Sequence, residues 1–192
     1  MIGNKKHYLI AGSTGLIGAQ LLDLLLHDDE TGKVTALVRS KSQQEHPKLQ
    51  EKVIDWDMLT EKDLPPTIDA AFCCLGTTMA KAGNKNAFKK VDFDYVVSLA
   101  VFSQRKNIPQ FHVVSATGSN VDSKVFYNRV KGNMEQEISK LDKFKSIYIY
   151  RPSLLLGNRE EFRMAESIGK ALMKTFSFLI PKSYKAIYDI QV

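Results

Sequence analysis

Short apolar runs alternate with amphipathic stretches along most of the chain. The apolar runs do not alternate with polar residues, which is typical of strands that are buried on both faces of a sheet. We predict strands near 7–12, 33–38, 52–55, 70–75, 111–115 and 146–150. We predict helices near 16–27, 84–106, 124–140 and 160–176.

This alternation predicts an α/β fold in which a doubly wound parallel sheet, a Rossmann fold, carries helices on both faces. A length of 192 residues suits one domain, and no linker or repeat divides the chain. We therefore predict a single domain over 1–192, with a short substrate-side extension over about 151–192. Asp189 is placed like the N-cap of a further helix, so we expect the natural chain to continue past Val192.

Three glycines, Gly12, Gly15 and Gly18, lie between the first predicted strand and its helix. Gly12 and Gly15 allow a tight turn and a close approach to a ligand, and Gly18 allows close packing of helix and strand. The helix N-terminus presents free N–H groups and a positive dipole, which suits a pyrophosphate. The alternative is an ordinary strand–turn–helix junction.

The second predicted strand ends at Arg39, which Ser40 and Lys41 follow. A dinucleotide site for NAD is expected to carry an acidic residue here, whereas a cation suits the 2′-phosphate of NADP. The sequence therefore favours NADP(H) over NAD(H), with Arg39 and Lys41 as the candidate contacts. The alternative is a solvated surface arginine.

Ligands of such sheets bind beyond the carboxyl ends of the strands. The residues that follow the predicted strands are therefore candidates for contact with the cofactor. They are Gly12–Gly18, Arg39, Asp55–Trp56, Gly76–Thr78 and Ser115–Thr117.

Tyr127 and Lys131 are four residues apart on a predicted helix, so their side chains share one face. A phenol with a pKa near 10 exchanges protons poorly at neutral pH, and a neighbouring ammonium lowers that pKa. Ser115, at the end of the fifth predicted strand, is placed to hydrogen-bond a substrate carbonyl oxygen. The alternative for Tyr127 and Lys131 is a solvated helix face.

Composition and charge argue against several other classes of protein. Apolar residues make up 44% and charged residues 25% of the chain, and the net charge of +6 is modest. No basic stretch interleaved with aromatic residues indicates a nucleic-acid surface, and no apolar run is long enough to span a membrane. Polar residues and glycines interrupt the first 26 residues, which argues against a signal peptide.

Two cysteines, Cys73 and Cys74, are adjacent on a predicted strand and point to opposite faces, so they are poor disulfide partners. Such a pair suits a reducing compartment, and we expect a cytoplasmic protein. The four histidines show no metal-ligand spacing, so we expect no metal.

These motifs resemble the extended or atypical branch of the short-chain dehydrogenase/reductase superfamily. Further runs resemble a smaller group within it, the NADPH-binding oxidoreductase-like proteins related to the Tat-interactive protein. Those runs are Ala36–Arg39, Cys74–Thr78, Val91–Val96 and Arg151–Gly157.

The resemblance implies a Ser–Tyr–Lys triad. Ser115 would orient the substrate, Tyr127 would be the general acid or base, and Lys131 would lower the pKa of Tyr127 and hold the nicotinamide ribose. It also implies the contacts along the cofactor. They are Gly12, Thr14, Leu16 and Ile17 at the pyrophosphate, Arg39 at the 2′-phosphate, and Leu75 and Gly76 on the far side. The glycine spacing adds Gly15 and Gly18 to the cofactor residues, and the charge after the second strand adds Lys41.

We therefore expect an NADP(H)-dependent oxidoreductase that transfers hydride to or from a small carbonyl or alcohol substrate. The alternative is an NADPH-binding regulatory protein with little turnover. An epimerase or dehydratase is less favoured, because few residues follow Arg151 to build a sugar-nucleotide pocket. The apolar and basic run over 172–182 suits a cover over the cofactor cleft; contact with a second subunit or a membrane surface is the alternative. Besides the small-molecule substrate, the partners we consider for the chain are a second copy, as a homodimer, and another protein.

Overall fold

The computed structural model describes residues 5–152, and its strands form one parallel sheet. The strands are β1 (Lys6–Ala11), β2 (Thr31–Val38), β3 (Leu49–Val53), β4 (Ala70–Cys73), β5 (Gln110–Val114) and β6 (Ser146–Tyr150). Their order across the sheet is β3-β2-β1-β4-β5-β6. The order therefore reverses between β1 and β4, which is where a doubly wound sheet opens a crevice for its ligand. The predicted Rossmann fold is confirmed.

Helices cover both faces of the sheet. They are α1 (Leu16–His27), α2 (Met79–Ala82), α3 (Lys85–Lys89), α4 (Tyr95–Arg105) and α5 (Phe126–Ser139). Short 3₁₀ turns at Trp56–Met58 and Glu61–Asp63 lie between β3 and β4. Two helices differ in their bounds from the sequence prediction, at the region 84–106 and at 124–140.

The helix predicted over 84–106 is present as an unbroken helical run from Lys85 to Arg105, but it contains a turn of a different type. A π-helical turn, Lys90–Asp94, joins α3 to α4, and α2 precedes them as a separate single turn. The Thr78 hydroxyl accepts a hydrogen bond from the backbone N–H of Lys81 at the start of α2. Gly83 ends α2 with a φ of 77°, a left-handed conformation that interrupts the helical path. Gly83 therefore separates α2 from the predicted helix, and apolar spacing alone does not reveal the π-helical turn inside that helix.

The third strand also differs from the prediction: β3 is Leu49–Val53, whereas apolar character indicated 52–55. Its pairing with β2 runs from Val34 opposite Leu49 to Val38 opposite Val53. β3 lies at the edge of the sheet and is only partly buried, so its polar centre carries no apolar signal.

Two apolar cores lie on opposite faces of the sheet. Leu9 and Ala11 of β1 pack with α4 and α5, whereas Ile10 packs with α1. The same alternation separates Cys73 from Cys74, and both thiols are free. The prediction that the two cysteines face opposite sides and form no disulfide with each other is confirmed.

Residues 5–152 include no helix that is long and apolar enough to cross a membrane. In the same range, no group of three or more histidine, cysteine, aspartate or glutamate side chains is arranged to hold a metal ion. The helix predicted over 160–176 and nearly all of the extension over 151–192 lie outside the described residues. The domain bounds 1–192 and a continuation past Val192 therefore stay predictions.

Candidate cofactor and active site

The turn between β1 and α1 is shaped by two glycines that tolerate no side chain. Gly12 has a φ of 81°, and a Cβ there would lie 2.5 Å from the carbonyl oxygen of Cys74. A Cβ on Gly18 would overlap the carbonyl oxygen of Gly12. The turn is consequently packed against the end of β4 at Gly12 and against α1 at Gly18. The close packing at Gly18 is as the glycine spacing predicted, whereas the contact with β4 was not predicted.

The N-terminus of α1 faces the end of β1 without a side-chain cap. Gly15 is the N-cap, and the first turn contains no acidic residue. The first-turn amides, including those of Leu16 and Ile17, have no partner within a helix. With the positive end of the dipole, they form an anion site suited to a pyrophosphate.

A cavity of about 510 Å³ opens at this point, between β1 and β4. A volume of several hundred Å³ is typical of small-molecule sites. The cavity is lined by nine of the predicted cofactor residues, Gly12, Ser13, Thr14, Gly15, Arg39, Trp56, Leu75, Gly76 and Thr77, and by seven others, Leu37, Val38, Ser40, Cys74, Lys81, Val91 and Tyr95.

The other predicted cofactor residues lie outside the lining, including Asp55, Thr78 and Ser115–Thr117. The remaining five lie outside it for different reasons. Gly18 is buried behind the carbonyl of Gly12, and Lys131 is buried behind Gly76. Lys41 is exposed beyond the end of β2. Leu16 and Ile17 belong to the first turn of α1, where their contribution is the backbone N–H.

One wall of the cavity joins the loop after β3 to the start of α4. The rings of Trp56 and Tyr95 lie 5.7 Å apart, and the Tyr95 hydroxyl donates a 2.7 Å hydrogen bond to Asp57. The Lys90 ammonium lies 2.7 Å from the same carboxylate. Hydrogen bonds from Lys90 and Tyr95 hold the pKa of Asp57 below its usual range.

Two of the predicted triad residues, Ser115 and Lys131, lie at the carboxyl end of β5. Lys131 Nζ lies 3.5 Å from the carbonyl oxygen of Val114, the residue before Ser115. Tyr127 lies one turn earlier on α5, half-buried, with its ring centre 5.6 Å from that of Phe88. The Ser115 hydroxyl is buried and lies 3.0 Å from that of Ser119. Their assignment as a catalytic triad stays a prediction.

A fourth residue, Asp92, completes this cluster. Its Oδ1 lies 2.8 Å from Lys131 Nζ, and its Oδ2 accepts a 2.8 Å hydrogen bond from the Thr77 backbone N–H. Both side chains of the ion pair are almost fully buried. A Cβ on Gly76 would lie 3.4 Å from Asp92 Oδ1 and 3.9 Å from Lys131 Nζ, so the pair lies directly behind the cavity.

The electrostatic setting of Tyr127 differs from the sequence prediction. Burial raises the pKa of the Tyr127 phenol above its usual value; the Lys131 ammonium opposes this shift and the Asp92 carboxylate adds to it. Lys131 lowers this pKa, as predicted, but burial outweighs its effect and the net shift is upward. The reason is that burial disfavours the phenolate and that the charge of Lys131 is matched by Asp92.

A dinucleotide fits the residues that are present. The tight turn at Gly12, the uncapped N-terminus of α1 and the cavity at the switch point match what a pyrophosphate and its flanking nucleosides need. Arg39 stands exposed at the end of β2 and lines the cavity. These features define a Rossmann-type dinucleotide-binding protein.

Comparisons with known proteins agree with this class. Residues 12–146 match the family model described as NAD(P)H-binding, and the chain belongs to this family. It is 32% identical to Protein HTATIP2 of Rattus norvegicus over 97% of this chain and 76% of that protein. It is 33% identical to the mitochondrial protein FMP52 of Eremothecium gossypii over 79% of this chain and 67% of that protein.

A solved structure, MoeE5 in complex with UDP-glucose and NAD, shares the fold with a TM-score of 0.64 at 15% identity. The match covers 83% of this chain but only 59% of MoeE5. The chain is therefore a member of the group that contains the HTATIP2 and FMP52 proteins, with the fold of the extended short-chain dehydrogenase/reductase superfamily.

Sequence reasoning assigned no role to Asp92, nor to the cavity residues Lys81, Val91 and Tyr95. A signal for Asp92 is nevertheless present in the chain. Helical spacing places it on the face of Val96 and Leu99, both of which are fully buried. A carboxylate on such an apolar face needs a buried partner, and Lys131 is that partner.

Proposed function

We propose that the protein is an NADP(H)-dependent oxidoreductase that transfers hydride to or from a small carbonyl or alcohol substrate. One observation carries the proposal: Tyr127 and Lys131 occupy successive turns of α5, and Lys131 reaches the end of β5 beside Ser115, directly behind the dinucleotide cavity. A phenol, an ammonium and a hydroxyl at this place suit proton transfer to a carbonyl oxygen.

Binding and chemistry use different parts of the site. The N-terminus of α1 would hold the pyrophosphate, and Arg39 would pair with a 2′-phosphate, which favours NADP(H) over NAD(H). When bound, the reduced cofactor supplies the hydride that adds to the carbonyl carbon. Tyr127 would give its phenolic proton to the carbonyl oxygen, and the Ser115 hydroxyl would donate to the same oxygen instead of to Ser119, so that an alcohol results.

The raised pKa of Tyr127 bears on which protonation state of the phenol is present at neutral pH. A phenol that stays protonated at neutral pH is ready to act as a general acid, which is the role required for carbonyl reduction. The opposite reaction, alcohol oxidation, needs the phenolate, which burial and Asp92 disfavour.

A second candidate is an NADPH-binding regulatory protein with little turnover. Two observations favour it: Asp92 matches the charge of Lys131, and the Ser115 hydroxyl already lies within hydrogen-bond distance of Ser119. A protein of this kind would bind the cofactor through the same glycine turn and use it to change its affinity for a partner.

The test is NADPH oxidation across a panel of aldehydes, ketones and quinones, with Tyr127→Phe beside the wild type. We expect turnover by the wild type and a loss of about a hundredfold or more in Tyr127→Phe, as is typical when a general acid is removed. NADPH affinity, measured by fluorescence titration, should stay within about threefold because the change removes one hydroxyl.

Tyr148→Phe is the matched control, because Tyr148 lies in β6 and stacks on His112 away from the cavity. It should retain turnover. Wild-type protein that binds NADPH but reduces no member of the panel would contradict the reductase and favour the regulatory candidate.

The location in the cell and the partners are further proposals. The free adjacent thiols of Cys73 and Cys74 favour a reducing compartment, for which we propose the cytoplasm. The names of the FMP52 relatives describe those proteins as mitochondrial, so fractionation of the native protein is the appropriate test. A homodimer or a protein partner also stays a proposal, beside the small-molecule substrate.

A further inference from the structure

Asp92 is a buried carboxylate with both of its oxygens engaged. It is 1% exposed and lies in the π-helical turn Lys90–Asp94, which packs against α5. One oxygen faces Lys131 Nζ, and the other accepts from the Thr77 backbone N–H. A buried carboxylate is retained at a large desolvation cost, which only such partners offset.

The local backbone explains how Asp92 reaches this place. The turn separates α3, whose Phe88 packs on Tyr127, from α4, which packs on the sheet. π-helical turns are rare and are frequent at functional sites, because they redirect a side chain without ending the helix. Asp92 therefore links three elements: α5 through Lys131, the loop after β4 through Thr77, and its own helix.

We propose that Asp92 is a positioning residue of the site. Its carboxylate holds the Lys131 ammonium at the end of β5 and ties it to the loop Gly76–Thr77 that lines the cavity. The expected effect on turnover rests on the proposed function. The expected effects on cofactor binding and on stability do not depend on it.

The position of the pair gives it influence over the cavity. Gly76 and Thr77 line the cavity, and Asp92 and Lys131 lie immediately behind them. If Lys131 were displaced, it would no longer support the loop Gly76–Thr77. Its ammonium would also move away from Tyr127, which lies one turn earlier on α5. Loss of Asp92 should therefore weaken NADPH binding and slow the chemical step without changing contacts to the carbonyl substrate.

The first experiment asks whether the pair forms and uses protein without cofactor. Thermal unfolding is compared for wild type, Asp92→Asn, Lys131→Met and the double variant. Asp94→Asn is the control, because Asp94 is exposed and lies two residues further along the same segment. Asparagine keeps an acceptor for the Thr77 amide, so the change removes mainly the charge.

We expect the unfolding midpoint to fall by several degrees in Asp92→Asn, because Lys131 is left buried without its counter-charge, and to recover largely in the double variant. Asp94→Asn should match the wild type. A midpoint for Asp92→Asn equal to that of Asp94→Asn would overturn the pairing.

The second experiment measures the NADPH dissociation constant and, with the carbonyl panel, kcat and KM for the same variants. We expect Asp92→Asn to weaken NADPH at least fivefold and to lower kcat at least tenfold, with the carbonyl KM within threefold. The double variant should have the same NADPH affinity and kcat as Lys131→Met alone. The reason is that Asp92 acts through Lys131, so its loss has no further effect once Lys131 is gone. Asp92→Glu, which keeps the charge, should recover part of the kcat.

Losses that add in full to those of Lys131→Met, or NADPH affinity and kcat equal to those of Asp94→Asn, would show that Asp92 does not act through Lys131. If the wild type reduces no carbonyl on the panel, the proposed function fails, but the NADPH and unfolding measurements still decide the role of Asp92.

Discussion

Two ion pairs are made by neighbouring residues of the turn Lys90–Asp94, and they differ in their burial. Lys90 pairs with Asp57 at the surface, where the side chains are 48% and 50% exposed. Asp92 pairs with Lys131 in the interior, where the exposures are 1% and 4%. The nitrogen–oxygen distances, 2.7 and 2.8 Å, are nearly the same.

Equal geometry does not give these pairs equal weight. Water and salt screen the exposed pair, so it aligns one wall of the cavity with little effect on stability. The buried pair is shielded from water, so each charge is stabilised mainly by the other. Removal of one partner therefore leaves the second as an uncompensated buried charge. Contact distance alone is therefore a poor guide to the importance of a charged group in this protein.

His112 is a third titratable group, buried on the opposite face of the sheet from Asp92 and Lys131. It is buried and stacks between Phe72 and Tyr148, with ring centres 4.6 and 4.5 Å away. Its Nδ1 lies 3.0 Å from the Tyr150 hydroxyl. Burial lowers the pKa of His112 to about 3, so the ring stays neutral where Asp92 and Lys131 rely on opposite charge.

Among the following tests, we expect the largest effect when the pH is lowered, because the free energy of unfolding then falls through His112. A histidine free in the unfolded chain has a pKa near 6.5, so between that value and about 3 the unfolded state takes up a proton that the folded state refuses. Stability is therefore present above about pH 6.5 and is lost as the pH falls. At pH 5 the loss attributable to His112 should be about 2 kcal/mol.

Urea unfolding at pH 7.5 and pH 5 measures this effect as the difference between wild type and His112→Phe. Tyr148→Phe is the control, because it alters the same stack but keeps the imidazole. If His112→Phe loses as much stability on acidification as the wild type, His112 is not responsible.

A smaller effect is expected at Arg39, an exposed charge at the mouth of the cavity. Arg39→Ala should weaken NADPH by about tenfold, which is about 1.4 kcal/mol, and leave NADH unchanged, because only NADPH carries the 2′-phosphate. Stability should be unaffected, since little surface of the side chain is buried. Fluorescence titration with both cofactors measures this.

Lys41→Ala sharpens the test, because Lys41 lies beyond the residues that line the cavity and should matter less than Arg39. If Arg39→Ala weakened the binding of NADPH and of NADH equally, the Arg39 side chain would not be a contact of the 2′-phosphate.

The smallest effect is expected at the exposed pair. Asp57→Asn removes the partner of Lys90 and the acceptor of Tyr95, yet its unfolding midpoint should differ little from that of Asp94→Asn. The pKa of Asp57 is lowered in the fold, so its small contribution is present above the unfolded value of about 3.9 and is lost as the pH falls below it. Thermal scans at low and high salt measure the difference, and a loss as large as that of Asp92→Asn would contradict the contrast between the two pairs.

The glycine turn, the parallel sheet and the position of Ser115 could be predicted from the chain because each depends on local rules. Glycine spacing, strand length and the order of elements are visible along the sequence. The π-helical turn within the helix over 84–106 and the limits of β3 could not, because a π-helical turn and an edge strand leave no clear apolar period.

The sequence by itself determined the class of fold, the dinucleotide turn and the proximity of Tyr127 to Lys131, because residues four apart on a helix share a face. Only the tertiary structure decided that Asp92 meets Lys131, that both lie behind Gly76, and that the pKa of Tyr127 is raised. Burial and long-range pairing set the energy of a charge, and both depend on which elements the folded chain packs together.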